Sequence, residues 1–238
     1  VLAHCPELRR ITKFGVGLDS IVQDDLDAYG VSLGWRGGVN KRAVAEWVIA
    51  QSIHLLRGLS VSNGAMQDGD WRPVRGRQLS SVCFGILGCG HIGKEVVRLL
   101  QPFGARIIAC DIRDYSDFYA SFGVQSVSLD ELLEASDVLS VHVPLDASTA
   151  NILHAERLAR LRPGTIVLNA ARGGLMDERA LVERLRTGAL AGAALDVYAQ
   201  EPPDMALFSG VPNLLLTSHL GGSSEEAIWA MGVAAIDG

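Results

Sequence analysis

Cysteine, aromatic residues, basic charge and long apolar runs are all scarce in this chain, and each shortage closes off a class of function. The four cysteines, Cys5, Cys83, Cys89 and Cys110, show no CxxC spacing, which argues against a thioredoxin-type redox pair or a zinc ribbon. Three of them lie in or beside apolar runs, where a reduced thiol packs as a small hydrophobe, so a cytoplasmic, disulfide-free protein is expected. No apolar run approaches the ~20 residues that span a bilayer, and no membrane partner is expected. A net charge of -6 and a pI near 5.5 leave no basic footprint for nucleic acid. There is no metal-ligand spacing, no internal repeat and no low-complexity tract. The opening residues Val1-Leu2-Ala3-His4-Cys5-Pro6 lack a starting Met, a basic segment and a signal-type apolar stretch, so the chain reads as cut from something longer.

What is present is an ordinary globular composition, 48% hydrophobic and 20% charged over 238 residues, enough for one or two domains. Short runs rich in Val, Ile and Leu recur at Cys83 to Leu87, Arg106 to Cys110, Val138 to Val143, Thr165 to Leu168, Gly192 to Val197 and Leu214 to Thr217. Their nearly continuous apolarity suits parallel strands covered on both faces. Helical patterns lie between several of them, at Ile92 to Phe103, Leu129 to Ala135 and Glu178 to Thr187. Asp177 is placed to cap the last of these, Gly188 to close it, and Pro163-Gly164 to end the helix before. The alternation predicts an α/β fold, a Rossmann-type doubly wound parallel sheet. Lys41 to Arg57 reads as a long helix with Ala43, Trp47, Ala50 and His54 on one stripe, followed by a polar loop from Gly58 to Leu79.

Gly88-Cys89-Gly90-His91-Ile92-Gly93 gains its meaning from context. It directly follows one predicted strand, opens a helix, and precedes a second strand that ends in Asp111, 18 residues beyond Gly93. Gly88 permits a tight turn, Gly90 lets backbone approach a pyrophosphate, and Gly93 lets helix and strand pack closely. The helix start around His91 and Ile92 offers backbone N–H groups and a partial positive charge to the phosphates. The Asp111 carboxylate accepts ribose hydroxyls and repels a 2′-phosphate, so NAD is favoured over NADP, with Arg113 the one neighbour that would suit NADP.

Three further segments each follow a predicted strand: Asn169 to Gly174, Leu195 to Pro202 and Leu216 to Gly222. Ligands of open α/β sheets bind at the carboxyl ends of strands, so Arg172, Glu201 and His219 are expected to converge there. Oxidising a 2-hydroxy acid requires a cation for the carboxylate, a base for the hydroxyl proton and a hydride acceptor. Arg172 suits the first role, His219 the second, and Glu201 would orient the imidazole.

These motifs resemble the D-isomer-specific 2-hydroxyacid dehydrogenase family. The similarity runs from Phe14-Gly15-Val16-Gly17-Leu18-Asp19 through Asn40 to Glu46, the Gly88 turn and His142-Val143-Pro144-Leu145 to the three strand-end segments. It implies that Arg172 anchors substrate, Glu201 partners the histidine and His219 is the acid/base. It implies also that Thr149, Asn169, Ala170, Ala171, Asp196, Gly221 and Gly222 lie along the cofactor with His142, Val143 and Pro144, and that backbone at Val16 and Gly17 receives the substrate carboxylate. Two positions depart from the family's usual residues: Ser218 replaces a proline before the histidine, removing a constraint on φ, and Ser20 replaces an asparagine.

By the same resemblance, residues 1–40 and 223–238 form part of a flavodoxin-like substrate domain, residues 41–222 form the NAD domain, and the protein is a homodimer. His4, His54, His91 and His154 read as structural or surface side chains, and Trp35 and Trp229 as packing residues. Two rivals share the fold: an NAD-sensing, corepressor-like interaction protein, and a dehydrogenase of the phosphite type. Glu201 argues against a formate enzyme, where a glutamine tends to stand.

Overall fold

Short apolar runs with no polar face can be satisfied only between two covering layers. The computed structural model of the chain, which describes residues 2–237, arranges them in that way. The chain divides into two compact units, one made of the residues up to Ala43 with those from Gly222 onward, the other Val44–Gly221.

The first unit opens with β1 (Arg10–Thr12), α1 (Gln23–Ala28) and β2 (Ser32–Gly34), a small parallel pair with Arg10 opposite Ser32. The second follows from α2 (Lys41–Arg57), which begins just before it, and α3 (Leu59–Gln67). Then come β3 (Cys83–Leu87), α4 (His91–Leu100), β4 (Arg106–Cys110), α5 (Ser116–Phe122), β5 (Gln125–Ser126), α6 (Leu129–Ala135) and β6 (Val138–Val141). They are followed by α7 (Ala155–Ala159), β7 (Thr165–Asn169), α8 (Glu178–Arg186), β8 (Leu190–Leu195), α9 (Met205–Phe208) and β9 (Leu214–Leu216). Finally α10 (Glu225–Asp237) returns to the first unit beside β2.

The seven strands of the second unit form one parallel sheet in the order β5-β4-β3-β6-β7-β8-β9. The chain winds outward from β3 to one edge, then returns to β6 and winds to the other. The crevice between the carboxyl ends of β3 and β6 is therefore the topological switch point, where ligands of such sheets bind. Successive residues face opposite cores: Cys83 and Leu87 pack with Leu139, Val141 and Val167 toward α6, α7 and α8, whereas Phe84 and Ile86 pack with Ile107, Val96 and Val48 toward α2 and α4.

Helix ends follow local rules. Ser128 and Glu131 form a reciprocal capping box at α6. The Asp177 carboxylate accepts the Ala180 N–H at the start of α8, and Gly188 follows that helix with φ 72.

The structure corrects several sequence expectations. The segment after Gly58 is not all loop: Gly58 takes a left-handed conformation that ends α2, and α3 follows at once. Ser, Asn and Gly within α3, none of whose residues is buried, hid its helical pattern. On α2 the buried residues are Val44, Ala45, Trp47, Val48, Ser52 and Leu56, while Ala50 is exposed, so the true stripe is rotated from the expected one. Strand β8 starts and ends two residues early, because at Asp196 the chain turns its side chain to loop backbone. Helix α7 stops at Ala159, well before Pro163-Gly164, which serves the turn into β7 instead. The expected helix from Ile92 begins at His91 and tightens into a 3-10 turn over Gln101–Phe103.

Leu139, wholly buried on central strand β6, reports on this core. Leu139→Ala should lower the unfolding free energy by about 3 kcal/mol in denaturant titration, because the rigid sheet cannot close over the cavity.

Candidate active site

At the carboxyl end of β3 the backbone must turn sharply against β6. Gly88 does so with φ 92, and a Cβ there would lie 2.8 Å from the His142 carbonyl carbon and from Val143 Cγ1. A Cβ on Gly93 would overlap the Gly88 carbonyl oxygen, so the helix sits as close to the turn as backbone allows. Gly90 has nothing within 4 Å of its Cβ position, and as the residue before α4 it provides no side-chain cap for the first N–H groups. An open glycine beneath an uncapped helix start fits a pyrophosphate. The Asp111 carboxylate accepts the Cys89 N–H at 2.6 Å and the Arg113 N–H at 2.8 Å. It braces the turn while each oxygen keeps a lone pair for a ribose hydroxyl. Burial drives the Cys89 thiol up to about 11, so it stays protonated and inert.

At the end of β6, burial pushes the His142 imidazole down to about 3, so the ring is neutral. Its Nε2 pairs with Ser140 Oγ at 2.9 Å, and its buried Nδ1 has no partner among the described residues. The following loop is closed by Thr149, whose hydroxyl donates to the Pro144 carbonyl at 2.7 Å and accepts the Asp146 N–H at 2.9 Å.

The loop after β7 is shaped by Asn169. Its buried amide oxygen accepts the Ala171 N–H at 3.0 Å and its NH₂ donates to the Arg172 carbonyl at 2.9 Å. Asn169 thus sets the turn that presents the half-buried Arg172 guanidinium, which also donates to the Ala171 carbonyl.

The loop after β9 is tied to the end of β8 by one buried carboxylate. Asp196, 1% exposed, accepts Thr217 Oγ1 at 2.5 Å, the Leu220 N–H at 2.9 Å and the Gly221 N–H at 2.8 Å. Its carbonyl accepts the His219 N–H at 2.9 Å. A Cβ on Gly221 would lie 2.9 Å from Asp196 Oδ2, so glycine lets the loop close onto the carboxylate, with Ala170 at ordinary contact distance. These ties supply the rigidity that Ser218 does not. His219 itself is held at φ 55, an unusual conformation for a non-glycine residue that persists because neighbouring bonds over-determine it.

His219 and Glu201 meet across two loops, Nδ1 to Oε2 at 2.9 Å, with both side chains partly exposed. The other Glu201 oxygen accepts the Tyr198 N–H at 3.2 Å. Burial pushes the Glu201 carboxyl up, but bonds from His219 and Tyr198 and the charges of His219 and Arg172 outweigh it, leaving it below its ordinary value. With Glu201 ionised, Nδ1 carries the proton and Nε2 is the basic nitrogen.

The structure thus brings Arg172, Glu201 and His219 to one end of one sheet, with the Gly88 turn, Asp111, His142 to Pro144, Ala170 and Asp196 on strand ends of the same unit. Val16, Gly17 and Gly222 belong to the first unit. There Trp35 Nε1 donates to the Val16 carbonyl at 3.1 Å, and a Cβ on Gly222 would lie 2.5 Å from Asn40 Nδ2. Tyr198 escaped sequence reading: its hydroxyl donates to the Thr217 carbonyl at 2.7 Å, linking the loops of Glu201 and His219. An aromatic beside an Asp-Val strand end was its one signal. No group of three or more His, Cys, Asp or Glu among the described residues is placed to hold a metal ion.

Residues 49–221 match the family model described as D-isomer specific 2-hydroxyacid dehydrogenase, NAD binding domain. The chain is 35% identical to D-3-phosphoglycerate dehydrogenase of Mycobacterium tuberculosis over 230 residues, which is 95% of this chain and 43% of that protein. It is also 35% identical to (S)-sulfolactate dehydrogenase of Chromohalobacter salexigens, over 95% of this chain and 75% of the relative. A solved glyoxylate reductase from Paecilomyes thermophila superposes with a TM-score of 0.88 at 33% identity, covering 98% of this chain and 71% of that one. The chain spans less than half the length of the phosphoglycerate dehydrogenases it matches.

Gly93→Ala should weaken NADH binding by at least about tenfold in a fluorescence titration, with far-UV circular dichroism retained, because the helix start must move off the turn.

Proposed function

The chain belongs to the D-isomer-specific 2-hydroxyacid dehydrogenase family, and from that premise we propose that it interconverts a D-2-hydroxy acid and its 2-oxo acid with NAD. The observation that carries this is the 2.9 Å contact between His219 Nδ1 and Glu201 on two strand-end loops. It leaves Nε2 as a base in the neighbourhood of a guanidinium. Arg172 grips the substrate carboxylate. His219 Nε2 takes the hydroxyl proton on oxidation and returns it on reduction, and Glu201 holds the ring and stabilises its protonated form. NAD, when bound, supplies the acceptor for the hydride leaving C2. The Gly88 turn, Asp111, and the strand ends at His142 to Pro144 and Asn169 to Ala171 would hold it, with Thr149, Asp196, Gly221 and Gly222 shaping the surrounding loops.

Small 2-oxo acids are the substrate class favoured by the names of the relatives. We assign the exposed apolar side chains Leu59, Val61, Met66, Trp71 and Val74, on and after a helix that buries none of its residues, to contact with a second copy of the chain. No helix among the described residues is long and apolar enough to cross a membrane, and the four free thiols accord with a cytoplasmic location.

The depressed Glu201 carboxyl sets a pH dependence. The stabilisation it draws from its partners is complete above its ordinary value of 4.5 and is lost as pH falls through the depressed one. In the reducing direction, which requires protonated His219, the acid limb of kcat should therefore lie below pH 4.5.

Following NADH absorbance with a panel of 2-oxo acids, 2-hydroxy acids, formate and phosphite tests the assignment. Turnover of a 2-oxo acid, falling about 10²-fold or more in His219→Ala, is expected. Tight NADH binding with no turnover would favour the NAD-sensing protein, and phosphite oxidation the phosphite type. In sedimentation the chain should run as a dimer, and Trp71→Asp combined with Val61→Asp should shift it to monomer.

A further inference from the structure

Glu178 is absorbed neither by the helix it begins nor by the reacting groups. It is the first residue of α8, after the loop that carries Arg172, and its N-terminal position alone would suit an acidic side chain pointing into water. Instead the carboxylate reaches across to the loop after β8 and accepts the N–H of Ala199 at 2.6 Å. Burial raises its pKa, so this placement is costly unless the bond compensates.

Ala199 stands between Tyr198 and Glu201, and the N–H groups of Tyr198 and Ala199 are claimed by two different carboxylates. Tyr198 N–H goes to Glu201, at 3.2 Å, and Ala199 N–H to Glu178. The same stretch is confined on its other sides. A Cβ on Gly173, next to Arg172, would overlap the Tyr198 carbonyl, and the Tyr198 hydroxyl donates to the Thr217 carbonyl, two residues before His219. Fixing Ala199 therefore fixes the segment that presents Glu201 to His219, and ties it to the turn that presents Arg172.

We propose that Glu178 is a positioning residue: by holding the Ala199 N–H it locks the Tyr198–Glu201 segment against the Arg172 turn and sets the Glu201–His219 pair. The role presupposes the dehydrogenase activity proposed above. It requires an acceptor oxygen rather than a charge, so a glutamine carbonyl suffices and an apolar isostere does not.

The test compares Glu178→Gln and Glu178→Leu with the unmodified chain. It measures kcat and KM on the 2-oxo acid the panel selects, NADH affinity by fluorescence, and amide exchange of the segment around Tyr198 and Ala199 without nucleotide. In Glu178→Leu, kcat should fall at least about tenfold with NADH affinity unchanged, and the loop amides should exchange faster while those of α8 do not. Glu178→Gln should restore both kcat and protection. Unchanged kcat and loop exchange in Glu178→Leu overturn the proposal, as does a glutamine variant as impaired as the leucine one. Equal loss of protection across α8 in Glu178→Leu would assign Glu178 to helix stability alone and overturn it too. If the unmodified chain turns over no 2-oxo acid, the dehydrogenase assignment fails, and the exchange comparison still decides whether Glu178 holds the loop.

Discussion

The buried carboxylate of Asp196 joins the sheet to the chemistry. A carboxylate with 1% exposure is tolerable only when its oxygens are satisfied, and Asp196 receives hydrogen bonds from Thr217, Leu220 and Gly221. All three donors belong to the loop after β9, so satisfying the carboxylate dictates the path of that loop. His219 lies within it, its own N–H bound to the Asp196 carbonyl and its backbone in a left-handed conformation it would not choose alone. The cost of burying a charge at a strand end is thus coupled to holding a histidine where a less constrained loop would let it swing.

Around that tie the site divides its tasks among side chains that point away from solvent and side chains that do not. Asn169 and Tyr198 spend their polar atoms on backbone, and Asp196 spends its own on two backbone N–H groups and the Thr217 hydroxyl, so that the three shape the loops around them. Arg172, Glu201 and His219 are left partly exposed by those loops. Glycine supplies the remaining closeness: at Gly88, Gly93, Gly173 and Gly221 a side chain would collide with another loop or with a carboxylate. Strand-end loops that approach this closely need few residues to bring three distant parts of the chain together.

Much of this was legible in the sequence, for physical reasons. The strands Cys83–Leu87 and Arg106–Cys110 were placed to the residue because each has an apolar run closed by Gly or Asp, the second opened by the exposed Arg106. The capping Asp177 and the Gly88 turn were legible because local backbone chemistry admits few residue types there. Helix α3 was not, since it buries none of its residues within the chain and so carries no core-facing apolar period. The buried stripe of α2 was misplaced because Ala50 was counted on it, whereas that small residue lies on the exposed face with Arg42, Glu46 and Arg57, opposite the buried Val44, Val48 and Ser52. Tyr198 and Glu178 act through bonds to backbone 19 and 21 residues away. Such bonds leave no periodicity, and Asn169 and Asp196 showed only that they stood near the cofactor, not that their side chains were committed to neighbouring loops.

The most direct test of the account is the kinetics of Asp196→Asn on whichever 2-oxo acid the chain reduces. An amide NH₂ would face either the Gly221 N–H or the donors at Thr217 and Leu220, and an unsatisfied buried donor costs about 1–3 kcal/mol. In Asp196→Asn kcat is expected to fall by roughly 10- to 100-fold and NADH affinity by clearly less, because the histidine loop loosens while the Gly88 turn stays intact. Wild-type kcat in Asp196→Asn, or a loss confined to NADH affinity, would contradict it.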